Sequence, residues 1–216
     1  MSGKTQKSDI DRTPLIPYRK RLDAVDEEIL SLFADRYNLR REMIPLKIAL
    51  DQPIRDKIQM ETVIDRAVRR AEEQNIPEDF AADLYELILK YSHKFEQSLR
   101  SSKDINVPSG EAADPKEITL YRRELEHIDA AIIETFGRRY RIRDETMPVK
   151  IKHNMPIEVQ SRVDEVIEQM QEKARTKNIP VDFARELYQL VIDYSHLYER
   201  QYRQKRINQY EQKSRI

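Results

Sequence analysis

This chain contains no cysteine and no tryptophan, only three glycines, and no excess of either charge. Without cysteine it has neither a disulfide framework nor a thiolate metal site. Lys plus Arg and Asp plus Glu each number 39, so no net field favours nucleic acid or an anionic membrane. No apolar run approaches the roughly 18 residues of a spanning helix, and the polar N-terminus lacks a signal-peptide core. We therefore expect a soluble, cytoplasmic protein that binds neither nucleic acid nor membrane.

What the chain has instead is charge, with Asp, Glu, Lys and Arg making up 36% of its residues. Straight-chain side chains such as Leu, Glu, Lys and Arg lose little rotamer freedom in a helix, so the composition favours an all-α protein. Apolar residues recur at helical spacing in the stretch that contains Leu22, Val25, Ile29 and Phe33. This pattern predicts a long first helix from about Pro14 to about Leu50.

The sequence matches itself at an offset of 103 residues without a gap, so that Tyr18 corresponds to Tyr121. Such a register indicates a duplication, and two units of this length exclude a solenoid of short repeats. Other matching pairs are Pro45 and Pro148, Pro53 and Pro156, Asn75 and Asn178, and Tyr91 and Tyr194. We predict two repeats at 14–100 and 117–205, a linker rich in Ser, Gly, Pro and Asp at 101–116, and polar tails at 1–13 and 206–216.

Each repeat is predicted to form a long helix, a shorter helix and a helix of medium length. In repeat 1 the second helix should run from about Asp56 to Gln74, and Pro77 lies early in the turn into the third. Pro45 and Pro148 lie inside the long helices, where the loss of a backbone donor should kink them. A three-helix unit of this size exposes a wide apolar stripe and needs a partner, which the other repeat can supply.

Several cations along the long helix keep their positions in both repeats, while neighbouring surface residues change. These cations form the pairs Arg19 and Arg122, Arg36 and Arg139, and Lys47 and Lys150. Arg36 and Lys47 lie eleven residues apart, about three helical turns, and therefore point the same way. An acid on the core side of the third helix, Glu96 or Glu199, follows a serine by four residues in each repeat. A solvated helix face is the alternative explanation of each single cation, because charged residues are mostly exposed.

This set of residues resembles the all-helical chorismate mutase family, which includes isochorismate pyruvate lyase. The likeness rests on an Arg, an Asp seven residues on, an Arg ten beyond that, a Lys eleven further, and a Pro-Ile loop. Two phrases in repeat 1 also carry it, LIPYRKRLDAVD at 15–26 and EQNIPEDF at 73–80. Members of the family are intertwined dimers in which each active site borrows one arginine from the other subunit. The resemblance implies that the two repeats pair within the chain as an intertwined pseudo-dimer, with further oligomerisation left open.

By the same resemblance, each active site draws on both repeats. One site is implied to contain Arg36, Lys47, Asp56, Ser92 and Glu96, with Arg122 from repeat 2. The other is implied to contain Arg139, Lys150, Arg162, Ser195 and Glu199, with Arg19 from repeat 1. In this family-based assignment the catalytic residues are Lys47, Glu96, Lys150 and Glu199, and the others bind the substrate.

The implied substrate is a small dicarboxylate with an enolpyruvyl ether, either chorismate or isochorismate. Arginine suits it, because the planar guanidinium grips a carboxylate with two hydrogen bonds and stays charged when desolvated. The lysine would donate to the ether oxygen as negative charge grows there, and a rearrangement within one molecule needs neither metal nor cofactor. The glutamate can donate only when it is protonated, so we expect the activity to fall as the pH rises.

The second helix departs from the family's pattern of Asp, Arg and Glu. At these positions repeat 1 has Asp56, Gln59 and Met60, and repeat 2 has Val159, Arg162 and Val163. The family's glutamate binds the ring hydroxyl of chorismate, and an unpaired buried hydroxyl costs on the order of 1–3 kcal/mol. Three alternatives stay open: a chorismate mutase-like isomerase, a lyase that gives salicylate and pyruvate from isochorismate, and a non-catalytic helical binding or regulatory module.

Overall fold

The structure is a computed structural model that describes residues 12–54, 56–103, 105–109 and 113–213, with side chains to residue 209. Along these residues the chain forms a 3-10 turn at Thr13–Leu15 and six α-helices. The helices are α1, Ile16–Ala49; α2, Lys57–Glu73; α3, Glu78–Arg100; α4, Pro115–Lys152; α5, Gln160–Thr176; and α6, Val181–Lys213. No strand occurs in the described ranges, so the predicted all-α class is confirmed. None of these helices is both long and apolar enough to cross a membrane.

Each repeat begins with its longest helix, and these two helices, α1 and α4, run without a break through Pro45 and Pro148. The third helix of repeat 2 is longer than that of repeat 1, because α6 continues to Lys213. The stretch predicted as a polar tail from residue 206 is therefore helical as far as it is described. The remaining predicted tail residues, 1–11 and 214–216, and the linker residues 104 and 110–112 lie outside the described residues.

Four of the helices are followed by a residue in the left-handed conformation, which stops the helix and turns the chain. These residues, with φ between 46° and 56°, are Asp51, Asn75, Asn154 and Asn178. Asn and Asp enter this region more readily than most residues that carry a side chain. After α1, the Gln52 amide donates to the Lys47 carbonyl at 2.8 Å, and after α4 the Met155 amide donates to the Lys150 carbonyl at 2.9 Å. This capping arrangement fixes the helical turn that carries each lysine.

The two repeats pack against each other through α1 and α4, which share the most extensive contact among the described helices. The third helices cross the interface as well, since Phe33 of α1 packs edge-on against Phe183 of α6 with ring centroids 4.8 Å apart. The equivalent pair, Phe136 and Phe80, is 5.2 Å apart. All four rings are buried in one core that both repeats share. The predicted pairing of the repeats as an intramolecular pseudo-dimer is therefore confirmed.

Two buried ion pairs also cross the interface, and each repeat contributes one residue to each pair. Arg36 Nε donates to Asp129 Oδ1 at 2.9 Å, and Arg139 Nε donates to Asp26 Oδ1 at 2.8 Å. None of the four side chains is more than 11% exposed. A tyrosine hydroxyl of the third helix donates to the backbone carbonyl of each aspartate: Tyr85 to Asp129 and Tyr188 to Asp26. The arginine of one repeat is thus fixed by the aspartate of the other.

Neutralising one of these aspartates should destabilise the whole fold. Asp129→Asn leaves the Arg36 charge buried without its partner, and the loss of one partner of a buried pair costs about 3–5 kcal/mol. Urea denaturation should show a loss of that order in the free energy of unfolding, and Asp26→Asn should show a similar loss.

Glu172→Gln is the matched control, because the side chains of its pair with Arg175 are 66% and 58% exposed. An exposed ion pair contributes little, so this variant should unfold close to the unmodified protein. If Asp129→Asn were as stable as the control, the buried pair would have no part in holding the repeats together.

Candidate active site

Two cavities flank the paired long helices, and each is lined by residues of both repeats. Cavity 1, of about 370 Å³, lies between α1, α2, α3 and the loop after α1, with the N-terminal part of α4 as its remaining wall. Cavity 2, of about 230 Å³, lies between α4, α5, α6 and the loop after α4, with the beginning of α1 as its remaining wall. Both cavities therefore depend on the interface between the repeats.

The residues singled out in the sequence lie around these cavities, more completely in cavity 2. Its lining includes all six residues expected for that site: Arg19, Arg139, Lys150, Arg162, Ser195 and Glu199. Among the described residues, the lining of cavity 1 includes four of the six expected there: Arg36, Lys47, Asp56 and Arg122. The other two, Ser92 and Glu96, are buried behind it, and Ser92 Oγ accepts from Arg36 Nη1 at 2.8 Å.

A buried glutamate holds the lysine of each cavity. Lys47 Nζ donates to Glu96 Oε2 at 2.9 Å, and Lys150 Nζ donates to Glu199 Oε2 at 2.6 Å. One turn further along the same helix, an arginine binds Oε1 of the glutamate: Arg100 at 3.0 Å in repeat 1 and Arg203 at 2.8 Å in repeat 2. In repeat 1, Lys47 Nζ also contacts this oxygen at 2.8 Å. These contacts make each glutamate a hydrogen-bond acceptor, where the sequence suggested a protonated donor to the ether oxygen.

Two pairs of arginines do not figure among the residues expected from the sequence: Arg40 with Arg143, and Arg100 with Arg203. The second pair contacts the buried glutamates. Both pairs recur at the offset of 103 residues, and this recurrence is the signal that identifies them. Arg40 and Arg143 line cavities 1 and 2, and each is only 8% exposed. Arg40 lies one helical turn after Arg36 and so shares its face of α1.

Arg40 and Arg143 take different partners, although their positions are equivalent. Arg40 Nη2 donates to Glu96 Oε2 at 3.0 Å. The Arg143 guanidinium instead stacks over the ring of Tyr198, 3.5 Å from its centroid, and donates to Asp144 Oδ1 at 2.8 Å. The residues of repeat 1 that correspond to this stacking ring and this carboxylate are Phe95 and Arg41. Among the described residues, the glutamate of cavity 2 therefore has one cation fewer than that of cavity 1.

Burial lowers the pKa of several cations that line the two cavities. In cavity 1, burial lowers the pKa of Lys47. Burial, and after it the charge of Arg36, lowers the pKa of Arg40 to about 10. In cavity 2, burial and then the charge of Arg162 lower the pKa of Arg19. Cations that repel one another around a cavity favour the binding of an anion between them.

The second helices give the two cavities different walls. Asp56 caps α2 by accepting a hydrogen bond from the Gln59 amide at 3.1 Å. Met60 and Val163 present apolar surface to cavities 1 and 2. Gln59 lines cavity 1 at the position where Arg162 lines cavity 2. Among the described residues, six cations and three carboxylates line cavity 2, whereas four of each line cavity 1.

The polar residues of the cavities suit carboxylates better than they suit a metal ion. His93 lines cavity 1 and His196 lines cavity 2, where His196 Nδ1 lies 3.9 Å from Glu158 Oε2. Within the described ranges, no group of three or more His, Asp or Glu side chains is placed to hold a metal. Guanidinium and ammonium groups, by contrast, bind carboxylates through charge-assisted hydrogen bonds.

Comparison with known proteins gives a match in each repeat. The family model for chorismate mutase type II matches residues 18–97 and 121–200. The chain is similar to a chorismate mutase of Methanocaldococcus jannaschii, with 27% identity over 78 residues that cover 36% of this chain and 79% of that protein. It is also similar to the bifunctional chorismate mutase/prephenate dehydratases of Enterobacter agglomerans, 29% identical over 100 residues, and Escherichia coli strain K12, 27% identical over 86 residues. These matches cover 46% and 40% of this chain but only 26% and 22% of the bifunctional proteins. No solved structure matches the chain.

Removing the charge of Glu96 should lower the pKa of Lys47 further. Burial already places this pKa below the 10.5 of an unperturbed lysine, and the hydrogen bond and charge of Glu96 raise it part of the way back. In Glu96→Gln, Lys47 should therefore lose its proton at a lower pH than in the unmodified protein. NMR of 13C-labelled lysine side chains across an alkaline titration measures the change.

Glu61→Gln is the control for this titration, because Glu61 is 63% exposed and pairs with Lys57 at 3.7 Å. It should leave the titration of Lys47 where it was. If Lys47 titrated at a higher pH in Glu96→Gln, the carboxylate would not be stabilising the charged lysine.

Proposed function

Because the chain belongs to the chorismate mutase type II family, we propose that it catalyses the rearrangement of chorismate to prephenate in cavity 2. The observation that carries this proposal is the convergence of cations from both repeats on that cavity: Arg19, Arg139, Lys150 and Arg162. A lining in which cations outnumber carboxylates suits a substrate with two carboxylates. The bifunctional relatives extend well beyond the matched region, so the proposal concerns the mutase reaction alone.

Arginines of both repeats would bind the substrate. Arg19 has no carboxylate within ion-pair distance among the described residues, and it lies close enough to Arg162 for their charges to repel. Arg19 can take one carboxylate of the substrate. Arg162 pairs with the exposed Glu165 at 3.1 Å, and because such a pair contributes little, Arg162 can exchange it for the second carboxylate. Both contacts relieve the repulsion. Arg139, which pairs with Asp26 at 2.8 Å, is a further cation of the cavity lining. Such contacts would hold the substrate in the folded conformation that reacts.

Lys150 would supply the hydrogen bond that the transition state needs. Negative charge grows on the ether oxygen as its bond to the ring breaks, and a donor fixed in advance stabilises that charge. Glu199 holds Lys150 Nζ at 2.6 Å, and Arg203 contacts the other oxygen of Glu199 at 2.8 Å. In this proposal Lys150 is the catalytic residue and Glu199 is a positioning residue that acts through it.

The rearrangement makes few other demands on the protein. One C–O bond breaks while one C–C bond forms between the enolpyruvyl methylene and the ring, all within one molecule. The protein exchanges no proton, electron or chemical group with the substrate. Orientation by the arginines and one hydrogen bond from the lysine are therefore the contributions that the reaction can use.

A second candidate reaction, the release of pyruvate from isochorismate, is favoured by one residue. Val163 lines cavity 2 at the position of the family's glutamate, which binds the ring hydroxyl of chorismate. A hydroxyl buried against Val163 would lack a partner, at a cost on the order of 1–3 kcal/mol. Isochorismate carries its hydroxyl at another ring position. Transfer of a ring hydrogen to the enolpyruvyl methylene would then give salicylate and pyruvate.

Turnover of the two substrates tests the reaction, and a matched pair of lysine variants tests its location. The purified protein should convert chorismate to prephenate, identified by its mass and by ultraviolet absorbance. Lys150→Met should lower kcat by about 10²- to 10³-fold, the usual cost of removing one donor to a developing oxyanion. Lys47→Met makes the same change at the equivalent position of cavity 1 and should leave kcat almost unchanged.

Each other outcome has a definite meaning. Salicylate and pyruvate from isochorismate, without prephenate from chorismate, would replace the mutase by the lyase. Equal losses in the two lysine variants would contradict the restriction of catalysis to cavity 2. Failure to turn over either substrate would reject the proposed chemistry and favour a binding module.

A further inference from the structure

The two cavities differ in charge at three equivalent positions near the second helix of each repeat. Asp51 corresponds to Asn154, Asp56 to Val159, and Gln59 to Arg162. The three residues of repeat 1 all line cavity 1. Each exchange makes the surroundings of cavity 1 more negative than those of cavity 2. A dicarboxylate, as proposed for cavity 2, therefore suits cavity 1 poorly.

The donors that cavity 1 keeps for a ligand are enough for one carboxylate. Arg122 has no carboxylate within ion-pair distance in the described ranges, and it donates to Gln52 Oε1 at the long distance of 3.4 Å. Arg40 shares Glu96 with two other cations, and its buried Nε–H has no partner among the described residues. Arg36, in contrast, is already paired with its aspartate across the interface. One ligand carboxylate would satisfy the two guanidinium groups that remain.

Two carboxylates stand at the exposed side of the same cavity. Asp51 and Asp56 are exposed, and neither has an ion-pair partner among the described residues. Arg55 lies outside the described residues, and its one positive charge cannot balance the two negative charges of the aspartates. Asp51 directly precedes Gln52, the residue that contacts Arg122. Acceptors for an ammonium group therefore lie beside donors for a carboxylate.

One part of the lining of cavity 1 is apolar and adaptable. It consists of side chains from four helices, among them Met43, Met60, Val63, Leu89 and Leu125. Methionine fills irregular spaces and makes favourable contacts with aromatic rings. Gln52 and Met60 stand where cavity 2 has Met155 and Val163, so this wall also differs between the repeats.

We propose that cavity 1 binds an amino acid with an apolar side chain, in its zwitterionic form. Its carboxylate accepts hydrogen bonds from Arg122 and Arg40, and its ammonium group donates to Asp51 and Asp56. Its side chain lies against the methionine-containing wall. The two cavities have no lining residue in common, so this binding site does not depend on the reaction proposed for cavity 2.

Calorimetry with two ligands that differ only in the amino group tests the proposal on the full chain. L-Phenylalanine should bind at least about tenfold more tightly than 3-phenylpropionate, because the ammonium group adds a charge-assisted hydrogen bond. Asp56→Asn should remove most of this preference. Asparagine also caps helices well, so the variant should keep the start of α2 intact.

Two equivalent arginines locate the site. Arg122→Gln should weaken the binding of both ligands, since it removes a donor to the shared carboxylate. Arg19→Gln, the same change in cavity 2, should leave phenylalanine binding unchanged. The proposal would be overturned if 3-phenylpropionate bound as tightly as phenylalanine, if Asp56→Asn kept the preference, or if Arg19→Gln were the variant that weakened binding. Absence of phenylalanine binding at about 10 mM would overturn it as well.

Discussion

Two buried ion pairs across the interface between the repeats are the interaction on which the rest of this protein depends. Arg36 and Arg139 each find their carboxylate in the other repeat, on Asp129 and Asp26. A buried charge that loses its partner is strongly destabilising, so neither repeat is complete without the other. The same pairs fix two arginines beside the two cavities. The contact that closes the core therefore also builds the walls of the two cavities, and the stability of the fold and the proposed functions rest on one set of residues.

Fusion of the two repeats in one chain allows their cavities to differ. In a symmetric dimer of identical subunits, every substitution appears in both sites. Here equivalent positions carry different residues, such as Gln59 against Arg162 and Arg41 against Asp144. The first exchange alters the charge of the lining, and the second gives Arg143 a carboxylate partner at 2.8 Å other than the glutamate. The same helical fold can then contain a cationic cavity, proposed to bind a dicarboxylate, and a cavity with equal numbers of cations and carboxylates, proposed to bind a zwitterion.

Sequence patterns predict the helices and their pairing better than they predict the contacts between side chains. The offset of 103 residues and the helical periodicity are properties of whole helix faces, so they survive local changes and indicate the helices and their pairing. The partner of a side chain depends instead on what lies across the interface. Nothing in the local sequence of Arg143 indicates that Tyr198 stacks on it. Glu199 likewise suggests a donor from its place in the family's pattern, whereas the structure surrounds it with Lys150 and Arg203.

A double-mutant cycle on kcat/KM for chorismate tests most directly whether each cavity is built from both repeats. Arg19 belongs to repeat 1 in the sequence but lines cavity 2 together with Lys150. Residues that act on one bound substrate are coupled, so the effects of Arg19→Gln and Lys150→Met should be far from additive. Arg19→Gln and Lys47→Met lie in the same repeat but in different cavities, and their effects should be independent. Coupling of Arg19 to Lys47 and not to Lys150 would contradict the intertwined arrangement.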